Sequence, residues 1–217
     1  MTTRHDGITV VPQQLWAQQP RTSKDCPACG RPPEGPRTDR LTGLLDRDGW
    51  EQAVAHTHQQ TREQNLSVAL LLVDLDHFKD INDRFGHGVG DTVLQQAAAI
   101  LRGCTREIDV VGRYGGHGGD EFLILAPDTE ITGAFAQALR ICAEISALTV
   151  STRSAHGKPV TISGLTASVG IAVQRPGDGV HIAELIGCAD GALLQAKRSG
   201  RDQVCLASLP GLFSRES

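Results

Sequence analysis

Short, nearly continuous apolar runs alternate along the chain with longer segments in which apolar residues recur every three or four positions. That alternation is the pattern of strands and helices in a single α/β domain. Ser67 to Leu75 reads SVALLLVDL, an unbroken run that suits a strand buried on both faces. Before it, Asp48-Gly-Trp-Glu51 has the spacing of a capping box and predicts a helix running to about Glu63. A short helix is expected over residues 77–85. Gly86, Gly88 and Gly90 then break the chain, and Asp91 is placed to open a helix with an apolar stripe of Leu94, Ala97, Ala98 and Leu101 that ends at Gly103. Residues 109–114 and 121–125 read as the arms of a hairpin with a glycine-rich tip, Gly115-Gly-His-Gly-Gly119. A helix over 132–147 would carry Phe135, Leu139, Cys142 and Ile145 on one face. Strands are expected over 160–162 and 166–173, and a last helix over 181–199 with Gly200 as its cap. The predicted class is α/β (α+β), a mixed central sheet with flanking helices.

Residues 1–37 break this pattern. They hold Pro12, Pro20, Pro27, Pro32, Pro33 and Pro36 and show little periodicity, so they read as a tail or small module. The main domain is expected over 38–207, followed by a tail over 208–217.

Composition narrows the function. Of 217 residues, 40% are hydrophobic and 21% charged, which excludes wholesale disorder. The formal charge of −4 and an aromatic content of 4% disfavour nucleic acid as a partner, because both phosphate neutralisation and base stacking are under-supplied. The longest apolar run is too short for a membrane span, and the N-terminus lacks a signal peptide's apolar stretch, so a soluble, cytoplasmic protein is expected. Cys104, Cys142, Cys188 and Cys205 are scattered through apolar segments as small hydrophobes. Cys26 and Cys29 alone form a spacing motif, Cys26-Pro-Ala-Cys-Gly30. It is half of a four-thiolate Zn²⁺ site, which a dimer would complete; the alternative is a reduced surface pair.

Candidate chemistry gathers at strand ends. Asp74 and Asp76 close the buried strand, and Asp120-Glu121 opens the far arm of the hairpin. Carboxylates converging from adjacent strands repel unless a hard cation lies between them, and Mg²⁺ held by few carboxylates plus phosphate fits; solvated strand ends are the alternative. Lys79, Lys197 and Arg201 are cations suited to a triphosphate beside such a metal, though late-helix cations also simply complement a helix dipole. Asn82, His87 and Asp91 offer the donors and acceptors of a guanine edge, or serve as turn and cap residues.

Gly118-Gly-Asp-Glu-Phe122 resembles the name-giving motif of the diguanylate cyclase, or GGDEF, family. In the family's order stand Asp39-Arg-Leu-Thr-Gly-Leu-Leu-Asp-Arg47, Asp74-Leu-Asp-His-Phe-Lys-Asp-Ile-Asn82, Phe85-Gly-His-Gly-Val-Gly-Asp91, Ser168-Val-Gly-Ile-Ala172 and Ala196-Lys-Arg-Ser-Gly-Arg201. The resemblance covers about residues 37–206. It implies a nucleotidyl cyclase, palm-like fold and condensation of two GTP into cyclic di-GMP and pyrophosphate by a homodimer, each subunit holding one GTP. On that resemblance Asp74, the Leu75 carbonyl, Asp120 and Glu121 would hold Mg²⁺ (or Mn²⁺). Asp120 would also accept the 3′-hydroxyl proton. Asn82 and Asp91, with His87 nearby, would read guanine. Lys79, Lys197 and Arg201 would neutralise phosphate, and Gly118 and Gly119 would let backbone pass close to the nucleotide. Arg106-Glu-Ile-Asp109 resembles the family's RxxD site for product inhibition; a helix-end salt bridge is the plainer reading. Three departures are visible. Arg113-Tyr-Gly-Gly-His-Gly-Gly-Asp-Glu-Phe122 is three residues longer than the family's arm, Asp46 stands for Asn, and Leu194 for a frequent Tyr. The apolar arms should hold the hairpin in register and leave the tip to absorb the extra length. A domain that binds cyclic di-GMP or GTP without turnover is the rival reading.

Overall fold

The computed structural model describes residues 3–5, 8–10, 37–115 and 119–207. Cys26, Cys29 and the tip residues Gly116, His117 and Gly118 lie outside them. Near the N-terminus, β1 (Thr3–His5) pairs antiparallel with β2 (Ile8–Val10), so this stretch is not wholly without regular pairing.

The main sheet is built around β3 (Val68–Leu75), every residue of which is buried. Antiparallel neighbours flank it, β5 (Glu121–Pro127) on one edge and β8 (Ala167–Gln174) on the other. Beyond β5 lies β4 (Val110–Arg113), antiparallel, and beyond β8 lies β9 (Val204–Leu206), parallel. Among the described residues the order is β4-β5-β3-β8-β9, the expected mixed sheet.

Alternation along β3 divides the core into two layers. Ala69, Leu71, Val73 and Leu75 join the cluster formed by Phe78 of α2 (Phe78–Phe85), by α3 (His87–Gly103) and by α4 (Ile131–Ala147). Val68, Leu70 and Leu72 join the cluster of α1 (Arg47–Glu63) and α5 (Ile182–Arg198). No described helix is long and apolar enough to cross a membrane. The scattered cysteines Cys104, Cys142, Cys188 and Cys205 are free, and burial pushes the Cys142 thiol up to about 11.

Four details differ from the sequence reading. The cap of α1 is Asp46, not Asp48: its carboxylate accepts from the Gly49 N–H at 2.8 Å. Helix α3 begins at His87 rather than Asp91, entered through Gly86 at φ +89°. The buried stripe of α4 is Ala134, Ala138, Ile141 and Ile145, and Leu139 faces outward at 55% exposure. Strand β7 (Pro159–Ile162) stands where a strand was expected, but its hairpin partner β6 (Val150–Arg153) and the edge strand β9 were not expected.

Where α5 crosses the sheet, the contact is backbone on backbone. A Cβ on Gly170 would lie 2.1 Å from the Ala189 carbonyl oxygen and 2.4 Å from the Leu193 nitrogen. Neither atom can retreat without shifting the helix. Gly170→Ala should therefore lower stability by about 2–3 kcal/mol, read from urea unfolding; a loss under about 0.5 kcal/mol would show that α5 moves freely.

Candidate active site

The ladder fixes the site. Asp74 is the cross-strand partner of Glu121 on β5 and of Ser168 on β8. One step along, the Leu75 N–H donates to the Asp120 carbonyl at 3.3 Å. The two acidic strand ends thus meet, as their sequence positions imply. Asp74 is only 6% exposed, and its Oδ2 accepts from Lys197 Nζ at 2.7 Å. The Asp74 carboxyl is raised to about 6: burial pushes it up most, Lys197 pulls it down, and the charges of Asp120 and Glu121 add to the rise.

These groups line a cleft of about 760 Å³ that also takes in Lys79, Asn82, His87 and Arg201. Asp91 is not among its lining residues; it lies one turn beyond His87 on α3. Asn82 packs over Gly90, where a Cβ would sit 1.9 Å from Asn82 Oδ1, so the glycine at this position lets α3 approach α2. Sequence reasoning treated Gly90 only as a breaker. It also passed over His77 and Asp80, which line the cleft with His77 Nδ1 3.3 Å from Asp80 Oδ2. Their place inside the Asp74–Asn82 segment was the available signal. Asp76 is absent from the cleft lining; its carboxylate accepts from Ser168 Oγ, Thr166 Oγ1 and the Asp202 N–H.

The hairpin keeps its register, Arg113 opposite Phe122, with the Tyr114 N–H donating to the Glu121 carbonyl at 2.9 Å. Asp120 immediately precedes β5. Arg113 latches the base of the tip: Nε donates to the Gly119 carbonyl at 2.8 Å, and Nη1 reaches both Asp39 carboxylate oxygens at 3.1 Å. Gly119 has φ +73°, and a Cβ there would meet the Arg113 guanidinium at 2.7 Å. Burial works to raise the Asp39 carboxyl, but hydrogen bonds from Thr42 and Arg113 outweigh it and leave it below its ordinary value.

Arg106 and Asp109 form a separate cluster. Asp109 is buried and accepts from the Arg106 guanidinium at 3.0 Å, the Arg106 N–H at 2.9 Å and Gln137 Nε2 at 3.0 Å. Arg106 also donates to the Pro127 carbonyl and to Thr129 Oγ1. The salt bridge of the alternative reading is present, and Arg106 lines a cavity of about 430 Å³ that Arg140, not singled out from sequence, also lines.

A family model described as "Diguanylate cyclase, GGDEF domain" matches residues 37–203. The chain belongs to the diguanylate cyclase GGDEF-domain family. It is 35% identical over 170 residues to the probable diguanylate cyclase DgcC of Escherichia coli, covering 78% of this chain and 43% of that protein. To the response regulator PleD of Caulobacter vibrioides it is 36% identical over 167 residues, 77% of this chain and 35% of PleD. It thus spans less than half the length of these relatives. The crystal structure of the GGDEF domain of DgcB from Caulobacter crescentus in complex with c-di-GMP is similar, with a TM-score of 0.71 and 29% identity over 79% of this chain and 93% of that one.

GGDEF cyclases use a divalent metal, and the donors at Asp74 suit one. They are carboxylate oxygens with a raised proton affinity, and an ammonium group already stands in as cation. Among the described residues no group of three or more His, Cys, Asp or Glu side chains is close enough to hold an ion alone, so ligand oxygens would have to share it.

The raised Asp74 value has a measurable sign. The folded protein binds a proton there up to about pH 6, the unfolded chain only to its ordinary 3.8, so ionising Asp74 costs stability as pH rises between them. Without metal, wild type should lose at most about 3 kcal/mol relative to Asp74→Asn between pH 3.5 and 7, by urea unfolding at stepped pH. Parallel pH profiles for the two proteins would mean that Asp74 titrates normally.

Proposed function

We propose that this chain condenses two GTP into cyclic di-GMP. The observation that carries the reading is the meeting of Asp74, Asp120 and Glu121 at the mouth of a cleft that also holds Lys79, Lys197 and Arg201. Each 3′-hydroxyl attacks the α-phosphorus of the other GTP, forming one phosphodiester bond and breaking one bond to pyrophosphate; two such steps close the ring and release two pyrophosphates. Two nucleotides must face each other, so the working form is a homodimer with one GTP per subunit.

Asn82, His87 and Asp91 bind the guanine edge, where a carboxylate accepts from two ring-edge N–H donors. Gly118 and Gly119 are assigned to the segment beside the nucleotide, where the lack of a side chain lets backbone come close. Lys79 and Arg201 hold the β- and γ-phosphates. Lys197 exchanges Asp74 for a phosphate oxygen as the nucleotide enters, which frees the carboxylate. Mg²⁺ or Mn²⁺ shared between Asp74, the Leu75 carbonyl, Asp120, Glu121 and the nucleotide's phosphate oxygens would lower the barrier to deprotonating the hydroxyl and neutralise the α-phosphate. Asp120 takes the hydroxyl proton, and the cations stabilise the departing pyrophosphate.

Asp120→Ala removes a cation ligand and the proton acceptor together. Turnover of GTP to cyclic product should fall by about two to four orders of magnitude. A variant that keeps most of the wild-type rate with Mg²⁺ would sink the assignment.

The cavity beside Arg106 supports product binding as a second role, and it is the feature that favours the rival reading of a binding domain without turnover. Asp109, fixed by its own donors, aims the half-exposed guanidinium at a phosphate or guanine edge, and Arg140 adds a second cation. Arg106→Ala should weaken cyclic di-GMP binding by about 1.5–3 kcal/mol in calorimetry. Equal affinities would show that the Arg106–Asp109 pair is structural only.

A further inference from the structure

The second carboxylate of the Asp74-Leu-Asp76 segment has no place in the chemistry above, yet it is buried and fully engaged. Asp76 is 3% exposed. Its Oδ1 accepts from Ser168 Oγ at 2.7 Å, and its Oδ2 accepts from Thr166 Oγ1 at 2.8 Å and from the Asp202 N–H at 3.0 Å. The last of these bonds reaches an unusual turn. Gly200, Arg201 and Asp202 have φ of +119°, +64° and +47°, so two non-glycine residues in succession are left-handed. Each such residue costs about 1–3 kcal/mol and persists only when its surroundings hold it there.

The holding groups are identifiable. The Arg201 N–H donates to the Ala196 carbonyl at 3.0 Å. Gln203 Nε2 donates to the carbonyls of Ala196 and Arg201. The Gln203 carbonyl accepts from the Val169 N–H at 2.9 Å. Asp76 supplies the remaining constraint, and it is the one that comes from β3's end of the sheet, two residues from Asp74.

We propose that Asp76 is a positioning residue for triphosphate binding. By holding the Asp202 N–H it keeps the 200–202 turn left-handed and aims Arg201 into the cleft at a fixed distance from Asp74. Its effect on ligand therefore passes through Arg201. This inference rests on the nucleotide reading of the cleft.

The substitutions separate by chemistry. Asp76→Ala removes every acceptor. Asp76→Asn keeps one oxygen for Thr166 and the Asp202 N–H, while the Ser168 hydroxyl can rotate to accept from the new amide. With the full chain and Mg²⁺, calorimetry against an α,β-methylene GTP analogue should show about tenfold weaker binding for Asp76→Ala. GMP affinity should stay within about twofold, and Asp76→Asn should stay near wild type. In an Arg201→Ala background the same alanine change should add little, since both act through one guanidinium. In the free protein, hydrogen exchange of the Asp202 amide should quicken at least about tenfold in Asp76→Ala and not in Asp76→Asn. If the alanine variant does not fold, Asp76→Glu, which shifts the acceptor by one methylene, should give the same split between analogue and GMP. Equal losses for analogue and GMP, or full additivity with Arg201→Ala, would overturn the positioning role and leave the nucleotide reading standing. A wild-type protein that binds neither nucleotide overturns both; unchanged exchange at Asp202 overturns the positioning role alone.

Discussion

The double pairing of β3 is the constraint on which the site depends. A strand buried on both faces and hydrogen-bonded on both edges cannot slip by one residue without turning Leu70 and Leu72 out of one layer and Leu71 and Val73 out of the other. Because it cannot slip, Asp74 stays level with Glu121 and Ser168, and the acidic residues from two strands share one end of the sheet. The apolar core stabilises an arrangement that electrostatics alone would oppose. Burial above all, with the charges of Asp120 and Glu121 adding to it, raises the proton affinity of Asp74, and the fold answers within this chain by laying the Lys197 ammonium on that carboxylate.

How much of this was legible in the sequence follows from how local each signal is. The buried run SVALLLVDL, the hairpin arms and the long helices are announced by apolar spacing over many residues, and the structure has them. Adjacent alternatives were harder. Asp46 and Asp48 carry equal capping chemistry two positions apart, and the choice fell to Asp46, whose N–H is also drawn to the Arg37 carbonyl. Three glycines suggested a break before Asp91, whereas Gly86 makes the turn by itself and Gly88 and Gly90 lie within the helix. On α4 the expected stripe of Phe135, Leu139, Cys142 and Ile145 shares only Ile145 with the buried one, because apolar residues stand on neighbouring faces and spacing alone does not rank them. The strands β6 and β9 are four and three residues long, below the length at which alternation says anything.

The site residues divide in the same way. Those in contiguous motifs were found because the motif carries them. Those whose role depends on a partner far along the chain were not read as such: Arg140 beside Arg106, and Asp76 against Asp202, 126 positions away. A carboxylate read beside its neighbour looks like a second ligand; read across the fold, it is a fastening.

The latch at the hairpin base has a further consequence. Arg113 ties the Gly119 carbonyl to Asp39 at the start of the domain, and the Tyr114–Glu121 hydrogen bond closes the ladder just below. With the base fixed from two directions, the position of Asp120 is set from outside the tip, by the ladder on one side and by the start of the domain on the other.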